Sequence, residues 1–228
     1  MECEKIAMSL SRQDLECDGL REHFADCYPA NQVLTPEQLE CSIDAMLATH
    51  PSAEDLWLFG YGSLIWNPCL DFAERRVVRV HGHHRSFCVW SHMGRGTRER
   101  PGLVLGLDSG GSCHGVAFRI EASKVRSELR LVWRREMVVG SYCPRWVRAE
   151  ALDRTLSAIA FFVNRDHTSY AGKLPIEAVA RTLVSARGHL GTPAEYLHST
   201  VRGLQDHGVK DSYLSRLAGM LGPVRNTA

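Results

Sequence analysis

The sequence lacks two features: an apolar run long enough to cross a membrane, and an excess of charge of either sign. A membrane-spanning helix needs about 20 consecutive apolar residues, and no run in this chain approaches that length. The 228 residues include 27 lysines and arginines against 26 aspartates and glutamates, a formal net charge of +1. Nucleic acids and anionic membranes attract a basic excess, so we expect a small-molecule partner, no nucleic acid and no membrane.

Closely paired cysteines are also missing. Eight cysteines are scattered singly along the chain, and none belongs to a C-x-x-C motif. The first residues, Met-Glu-Cys-Glu-Lys, lack the apolar centre of a secretory signal, which predicts a cytoplasmic location. Cysteines stay reduced in that compartment, so we expect packing residues rather than a disulfide framework.

Two regions differ in composition. Residues 1–54 are predicted to form a polar leader with one helix. Their composition is compatible with partial disorder at the start of the leader. The helix is predicted to begin at Thr35, because Pro36 suits its first position and Gln38 completes a capping box. Residues 55–228 are predicted to form the main domain.

Short β-rich segments dominate the first part of this domain. Their number and spacing favour a small closed or nearly closed β-barrel over a doubly wound sheet. One helix over 122–135 interrupts them, and helices over 175–187, 193–205 and 212–221 make the end of the chain helical, so we predict the α+β class. The seven predicted strands cover residues 57–59, 77–80, 86–90, 103–107, 115–120, 146–152 and 156–163.

The first strand runs directly into a glycine-bearing turn at Gly60 and Gly62. Such a turn can aim several backbone N–H groups at one point, which favours binding of a carboxylate or phosphate. Asn67-Pro68 follows at once, so a helix is not expected to start after the turn. A dinucleotide motif is a poor fit because its third glycine is absent. On the pattern alone, a structural turn and an anion-binding site are about equally good interpretations of this segment.

Three further segments have a chemical and a structural interpretation. The histidines at 81, 83, 84 and 92 match no zinc spacing, so ordinary strand and loop histidines are the better interpretation. The Gly94–Gly102 loop could hold an acidic substrate, although a solvated hairpin loop explains most of its arginines. Glu136 is predicted at the C-terminal end of a helix, where apolar neighbours raise the pKa of its carboxyl and Arg134 and Arg135 lower it. Local sequence alone favours the interpretation that Glu136 is exposed and paired with a neighbouring arginine over a catalytic role.

Taken together, the motifs of this domain resemble the ChaC family of glutathione-specific γ-glutamylcyclotransferases. The resemblance covers residues 56–223 in order, and the leader carries little of it. The matching segments are FGYGSLIWNP (59–68), HRS (84–86), RGT (95–97), RPGLVLGL (100–107), REM (135–137), RWV (145–147) and YAGKL (170–174), together with Tyr142.

The resemblance implies a γ-glutamylcyclotransferase-like fold, a small mixed β-barrel flanked by helices. It implies that glutathione is cleaved to 5-oxoproline and Cys-Gly without metal or cofactor. By motif, Glu136 would be the catalytic acid/base, and Tyr142 would lie close to the substrate. The substrate-binding loop would consist of Gly60, Tyr61, Gly62, Ser63, Leu64 and Ile65.

In that reaction the substrate's own α-amine attacks its γ-carbonyl, so the protein supplies orientation and a proton carrier rather than a nucleophile. Two alternatives stay open at this point. One is cyclisation of other γ-glutamyl compounds, and the other is a non-catalytic regulatory protein that binds ligand in the same pocket, as the family's link to cation transport suggests. The sequence does not indicate an oligomeric state or which arginine meets the glycine carboxylate, with Arg85 and Arg98 as guesses.

Overall fold

Five β-strands close into a barrel with helices packed around it. The computed structural model describes residues 10–17, 20–21, 24–25, 28–29, 32–50 and 54–222. The strands are β1 (Leu56–Gly60), β2 (Glu74–Ser91), β3 (Gly102–Ile120), β4 (Tyr142–Glu150) and β5 (Thr155–Val163). The helices are α1 (Arg12–Glu16), α2 (Pro36–Leu47), α3 (Ser63–Trp66), α4 (Val125–Glu136), α5 (Ile176–Ser185), α6 (Pro193–Asp206) and α7 (Ser212–Leu221). Within these described ranges, none of the helices combines the length and the apolar character needed to cross a bilayer.

The strand order around the barrel is β1-β3-β2-β4-β5. The strands adjacent in this order run antiparallel, except that β1 and β5 close the barrel in parallel through Trp57 opposite Ala158 and Leu58 opposite Ile159. β5 also pairs in parallel with β3, at Leu107 opposite Phe162. Every residue of β1 is buried, because its two faces meet the barrel interior and the surrounding helices. The predicted mixed β-barrel of the α+β class is confirmed.

The predicted count of seven short strands is wrong. β2 and β3 form one long hairpin, and each contains two of the predicted strands. Segments such as His81-Gly82-His83 have the composition of a turn. In the structure β2 continues through this segment with a shift in its register against β3, and Gly82 has a φ of 78°. Bulges of this kind bend a strand without ending it, which lets a single hairpin curve around much of a small barrel.

The prediction that no helix starts after the glycine turn is also wrong. α3 forms one helical turn directly after Gly62 and ends at Trp66, and Asn67 after it is not helical, with a φ of −142° and a ψ of 74°. Pro68 restricts the residue before it rather than the turn upstream, so the chain has room for four helical residues before the restriction acts. This places the first N–H groups of α3 at the end of β1.

The predicted helices of the leader and of the C-terminal region match observed helices. α2 begins with the predicted capping box, in which the Gln38 amide and the Thr35 hydroxyl exchange hydrogen bonds with each other's backbone. α7 has the predicted bounds, and α5 and α6 differ from prediction by one or two residues at their ends. The short helix α1 has no counterpart in the sequence prediction. Residues 1–9, whose composition is compatible with partial disorder, lie outside the described residues.

Helix α4 carries its predicted apolar face, Val125, Leu129 and Val132, into the core. Trp133 extends that face and is fully buried against Phe161, with ring centroids 5.1 Å apart. Its indole N–H donates to the Ser42 hydroxyl of α2 at 3.0 Å. α4 is therefore fixed between the barrel and the leader, and Glu136 is its last residue.

Candidate active site

A cavity of about 160 Å³ opens where β1, α3 and the C-terminal end of α4 meet. Several of the residues around it are polar or charged and come from five separate parts of the chain. These are Tyr61, Gly62 and Ser63 after β1, Arg95 after β2, Arg135 and Glu136 on α4, Ser141 and Tyr142 at β4, and Tyr196 on α6. Such convergence in one concave, mostly apolar site is typical of small-molecule binding.

The loop after β1 is held from below by a buried arginine. Arg85 on β2 donates from Nη1 to the carbonyl oxygen of Tyr61 at 2.9 Å, and its Nε faces the Asp211 carboxylate across 3.1 Å. The C=O and N–H of a trans peptide point in opposite directions. Because the Tyr61 carbonyl points to Arg85, the N–H of Gly62 points to the opposite side, and Gly62 itself lines the cavity.

Position 62 requires glycine because a neighbouring side chain leaves no room for a Cβ, and not because its φ is unusual. Its φ is −132°, a value that other residues also adopt. A Cβ at this position, however, would lie 2.6 Å from the Tyr196 hydroxyl oxygen. The absence of a side chain therefore lets the phenol of α6 approach the backbone of the loop.

Glu136 lines the cavity, with 15% of its side chain exposed. Burial raises the pKa of its carboxyl, and the neighbouring Arg135 guanidinium, 3.1 Å from Oε1, opposes that rise. Arg135 in turn donates from Nη1 to the carbonyl oxygen of Asn67 at 2.5 Å. The acid is thus kept away from bulk solvent and oriented by a fixed cation.

Three tyrosines surround this acid. Burial, together with the negative charge of Glu136, raises the pKa values of Tyr61 and Tyr142 well above the ordinary value and that of Tyr196 to about 12. All three phenols are therefore neutral at physiological pH. The Tyr142 hydroxyl donates to the carbonyl oxygen of Leu105 at 2.8 Å, so toward a ligand it can act as an acceptor.

A second guanidinium reaches the cavity from the loop between β2 and β3. Arg95 is buried, stacks over the Tyr196 ring at 5.6 Å and donates to the carbonyl oxygen of Thr192 at 3.4 Å. Desolvation lowers its pKa, as does the nearby Arg135, while Tyr196 and Glu195 raise it. With Arg135, it gives the cavity two cations against one carboxylate.

The structure brings most of the predicted site residues to this cavity. Glu136, Tyr142 and the loop residues Tyr61, Gly62, Ser63 and Leu64 all line it. Gly60 and Ile65 lie behind it, buried at the end of β1 and in the core beside α6. Of the guessed arginines, Arg85 lies beneath the loop and Arg98 is exposed, so neither lines the cavity.

Of the four histidines, His81, His83 and His84 lie along β2, whereas His92 packs edge-on against the Tyr28 ring, with centroids 5.8 Å apart. His81 contacts the Glu150 carboxylate at 2.7 Å, and the Nδ1 of His84 lies 2.9 Å from the Gly110 carbonyl oxygen. Over residues 10–222, wherever the structure describes them, no three histidine, cysteine or acidic side chains come together as a metal site would require. The structure thus accounts for these two histidines by ordinary polar contacts.

The sequence analysis included Arg95 only as part of a loop that could hold an acidic substrate, and it missed Tyr196 and the leader residues that line the cavity. A signal for Arg95 existed in the glycines beside it. A Cβ at Gly96 would lie 2.0 Å from the Gly102 nitrogen, and one at Gly102 would lie 2.1 Å from the Arg95 carbonyl oxygen. The loop is therefore folded tightly on itself at that point, whereas Arg98 and Arg100 fit the expected solvated loop. Nothing local in helix α6 distinguishes Tyr196 from a core residue.

Fold and site together define a small barrel of the γ-glutamylcyclotransferase fold with an acid-containing pocket. A crystal structure described as a γ-glutamylcyclotransferase specific to glutathione from yeast superposes with a TM-score of 0.66, covering 73% of this chain and 95% of that one at 20% identity. At this identity the similarity concerns the fold. A sequence model for a family described as "ChaC-like protein" matches residues 56–223, and the chain belongs to this family.

Two relatives illustrate the sequence similarity. A glutathione-specific γ-glutamylcyclotransferase of Escherichia coli (strain K12) is 38% identical over 203 residues, which cover 84% of this chain and 88% of that protein. Glutathione-specific γ-glutamylcyclotransferase 1 of Homo sapiens is 33% identical over 174 residues, with coverage of 73% and 78%. The resemblance inferred from the motifs is confirmed.

Proposed function

We propose that this protein is a glutathione-specific γ-glutamylcyclotransferase, which converts glutathione to 5-oxoproline and Cys-Gly. The names of its relatives support this activity. The observation that carries the proposal within the structure is the placement of Glu136, a largely buried acid facing the same cavity as the main-chain turn at Gly62 and Ser63. An acid so placed is suited to proton transfer on a bound substrate.

The charges of the cavity complement those of glutathione, which carries two carboxylates and one α-ammonium group. Arg135 and Arg95 offer guanidinium groups, which bind carboxylates through charge-assisted hydrogen bonds. We assign them, rather than Arg85 or Arg98, to the substrate carboxylates. Glu136 and the acceptor side of the Tyr142 hydroxyl suit the α-ammonium group.

The reaction follows from this placement. Glu136 accepts a proton from the α-ammonium group, and the free amine attacks the γ-carbonyl carbon to close a five-membered lactam. As the bond to cysteine breaks, the same carboxyl returns that proton to the departing nitrogen. The attacking nitrogen loses a second proton when it becomes the lactam N–H, and this proton converts the released cysteine amine to its ammonium form. Two protons thus pass from one nitrogen to the other, and no water is consumed. Donors such as the N–H of Gly62 stabilise the negative charge that develops on the γ-carbonyl oxygen.

The raised pKa of Glu136 is what makes this proton transfer feasible. An α-amine titrates near ~8 and an ordinary glutamate near ~4.3, a difference that corresponds to about 5 kcal/mol against the transfer. Burial moves the carboxyl pKa toward that of the amine and reduces the difference. Well-matched acid/base catalysis typically contributes ~10²–10⁴-fold to a rate.

A direct assay tests the proposal. The purified protein is incubated with glutathione and, separately, with γ-Glu-Ala, and released 5-oxoproline is measured along with the free dipeptide or amino acid. We expect stoichiometric 5-oxoproline and Cys-Gly from glutathione and little product from γ-Glu-Ala. Preferential turnover of γ-Glu-Ala would favour a cyclotransferase for other γ-glutamyl compounds, and binding without turnover would favour a regulatory role.

Two broader expectations accompany the proposal. We propose that the protein works in the cytoplasm, where buried free thiols such as Cys88 and Cys113 remain reduced. We also propose that residues 55–228 form the catalytic domain and that the leader, residues 1–54, is an addition to it.

A further inference from the structure

Part of the leader closes one side of the active-site cavity. We use the term N-terminal strap for the described residues between positions 10 and 28. The strap residues that line the cavity are Leu10, Leu20, Phe24 and Tyr28. All four are apolar or aromatic, whereas the polar residues of the cavity come from the barrel and its helices. The cavity therefore has a polar end at Glu136 and an apolar wall built partly by the strap.

The aromatic residues of the apolar wall pack against the rest of the protein. Tyr28 is buried with Val138 and Val139, and Phe24 packs against this cluster. The Phe24 and Tyr28 ring centroids are 5.7 Å apart. Phe24 also packs against a second cluster, which includes Met93 of the loop that carries Arg95. The two aromatic rings thus join the segment after Glu136 to the loop that supplies the second guanidinium.

An ion pair between Arg12, whose side chain is 38% exposed, and the buried Glu128 holds the strap in place. Arg12 donates two hydrogen bonds of 2.8 Å to the two carboxylate oxygens of Glu128, whose side chain is only 2% exposed. The backbone N–H of Asp71 donates to the same carboxylate at 2.9 Å. Removing the partner of a buried carboxylate leaves a costly unpaired charge, so detachment of the strap is unfavourable.

The strap also contacts the residues on which the acid depends. The Asn67 side-chain amide donates to the Leu10 carbonyl oxygen at 2.8 Å, while the Asn67 carbonyl oxygen accepts the hydrogen bond from Arg135. Arg134 donates to the carbonyl oxygens of Leu15 and Glu16, both at 2.9 Å. Both neighbours of Glu136 on its N-terminal side are therefore connected to the strap.

We infer that Phe24 and Tyr28 are specificity-determining residues that contact the leaving part of the substrate. This inference rests on the proposed function, which places the γ-glutamyl group at Glu136 and the loop after β1. The remaining cysteinyl-glycine portion then extends along the apolar wall. A cysteine methylene and thiol suit such a wall, since aromatic rings and sulfur make favourable contacts.

The test compares two ligands that share the γ-glutamyl group and differ beyond it. Glutathione and γ-Glu-Ala are titrated calorimetrically into the full chain carrying Glu136→Gln, with and without Phe24→Ala or Tyr28→Ala. Truncating an aromatic contact at the centre of a binding site weakens binding about tenfold, so we expect that loss for glutathione and a change within about twofold for γ-Glu-Ala. In chains that retain Glu136, Phe24→Ala and Tyr28→Ala should lower kcat/KM for glutathione and for γ-Glu-Ala by the same factors as they weaken binding.

A matched control is Phe72→Ala, which removes an aromatic ring that is 37% exposed and packs on Phe118 away from the cavity. It should leave both affinities unchanged. Tyr28→Leu keeps apolar volume and serves if Tyr28→Ala unfolds. Equal losses for both ligands, or no loss for either, would overturn the inference.

Failure of the proposed function gives a different pattern. A wild-type chain that releases no 5-oxoproline contradicts the proposed activity, yet a selective loss of glutathione affinity in Phe24→Ala would still support the strap's role. A Glu136→Gln chain with no measurable affinity for glutathione would contradict both.

Discussion

The guanidinium of Arg85 and the carbonyl oxygen of Tyr61 are joined by a buried hydrogen bond of 2.9 Å beneath the candidate substrate loop. The Arg85 side chain is 2% exposed, and the same guanidinium faces Asp211, whose carboxylate caps helix α7 by accepting from the N–H of Leu214. The orientation of one peptide plane in the site is thus linked to the C-terminal helix. Arg85 is a positioning residue and has no direct contact with the cavity.

We predict that Arg85→Met lowers kcat by at least tenfold and the free energy of unfolding by about 3 kcal/mol, because it leaves Asp211 without its buried partner. The double variant Arg85→Met/Asp211→Asn removes the stranded charge. It should recover much of the stability but not kcat, since Tyr61 still lacks its donor. Urea denaturation and initial-rate kinetics measure the two effects, and parallel recovery of both would show that Arg85 acts only through stability.

The close approach of Tyr196 predicts a cost for any side chain at position 62. Gly62→Ala should destabilise the fold by about 1–3 kcal/mol, because the new Cβ must displace a buried phenol. Gly62→Ala/Tyr196→Phe should regain thermal stability. The matched control is Gly219→Ala on an open face of α7, where nothing lies within 4 Å and alanine's helix propensity adds about 0.5–1 kcal/mol. A Gly62→Ala variant as stable as wild type would refute the steric account.

The pH dependence of kcat/KM should report the environment of Glu136. The carboxyl must be ionised to accept a proton, so activity should rise through a midpoint above the ordinary glutamate pKa of 4.5. Arg135 opposes the effect of burial, and Arg135→Met should therefore move this midpoint to still higher pH while weakening substrate binding. An unchanged or lower midpoint in the variant would contradict the assigned electrostatics.

The same carboxyl should make the protein less stable as the pH rises. Its pKa is higher in the folded than in the unfolded chain, so between the two values the folded state holds a proton that the unfolded state has lost. Stability then falls with increasing pH, and Glu136→Gln removes this loss. We expect Glu136→Gln to raise Tm at pH 7 and to leave it nearly unchanged below pH 4.5, where both states are protonated.

Glu99 provides the control of opposite sign. Its carboxyl is exposed and its pKa is lowered by hydrogen bonds from its own backbone and from Thr97. Glu99→Gln should therefore give no increase in Tm at pH 7. If scanning calorimetry gave the same shift for both variants, burial of Glu136 would not be the cause.

Much of the fold could be predicted because local signals and tertiary structure agree. The capping box at Thr35 and Gln38 defines the start of α2, and the apolar spacing of Val125, Leu129 and Val132 defines α4. The number of strands could not be predicted, since Gly82 between histidines has the composition of a turn but lies in a bulge. The bulge depends on pairing with β3, which is distant in sequence.

The residues of the candidate site likewise include some that could be predicted from sequence and some that could not. Glu136 and Tyr61–Leu64 lie in contiguous motifs, so sequence could single them out. Tyr196 and Tyr28 reach the cavity only because α6 and the strap pack beside α3 and α4, and no local pattern encodes that placement. The function of the leader was likewise not apparent from sequence, because Arg12 and Glu128 become partners only after folding.

The central claim is that Glu136 carries the proton while the substrate cyclises on itself. Glu136→Gln keeps the shape of the side chain and removes its ability to accept a proton, so the most direct measurement is the rate of 5-oxoproline release from glutathione by this variant at pH 7.5. The account predicts a folded protein that still binds glutathione and whose rate falls by ~10²-fold or more. A folded variant that releases 5-oxoproline at the wild-type rate would contradict it.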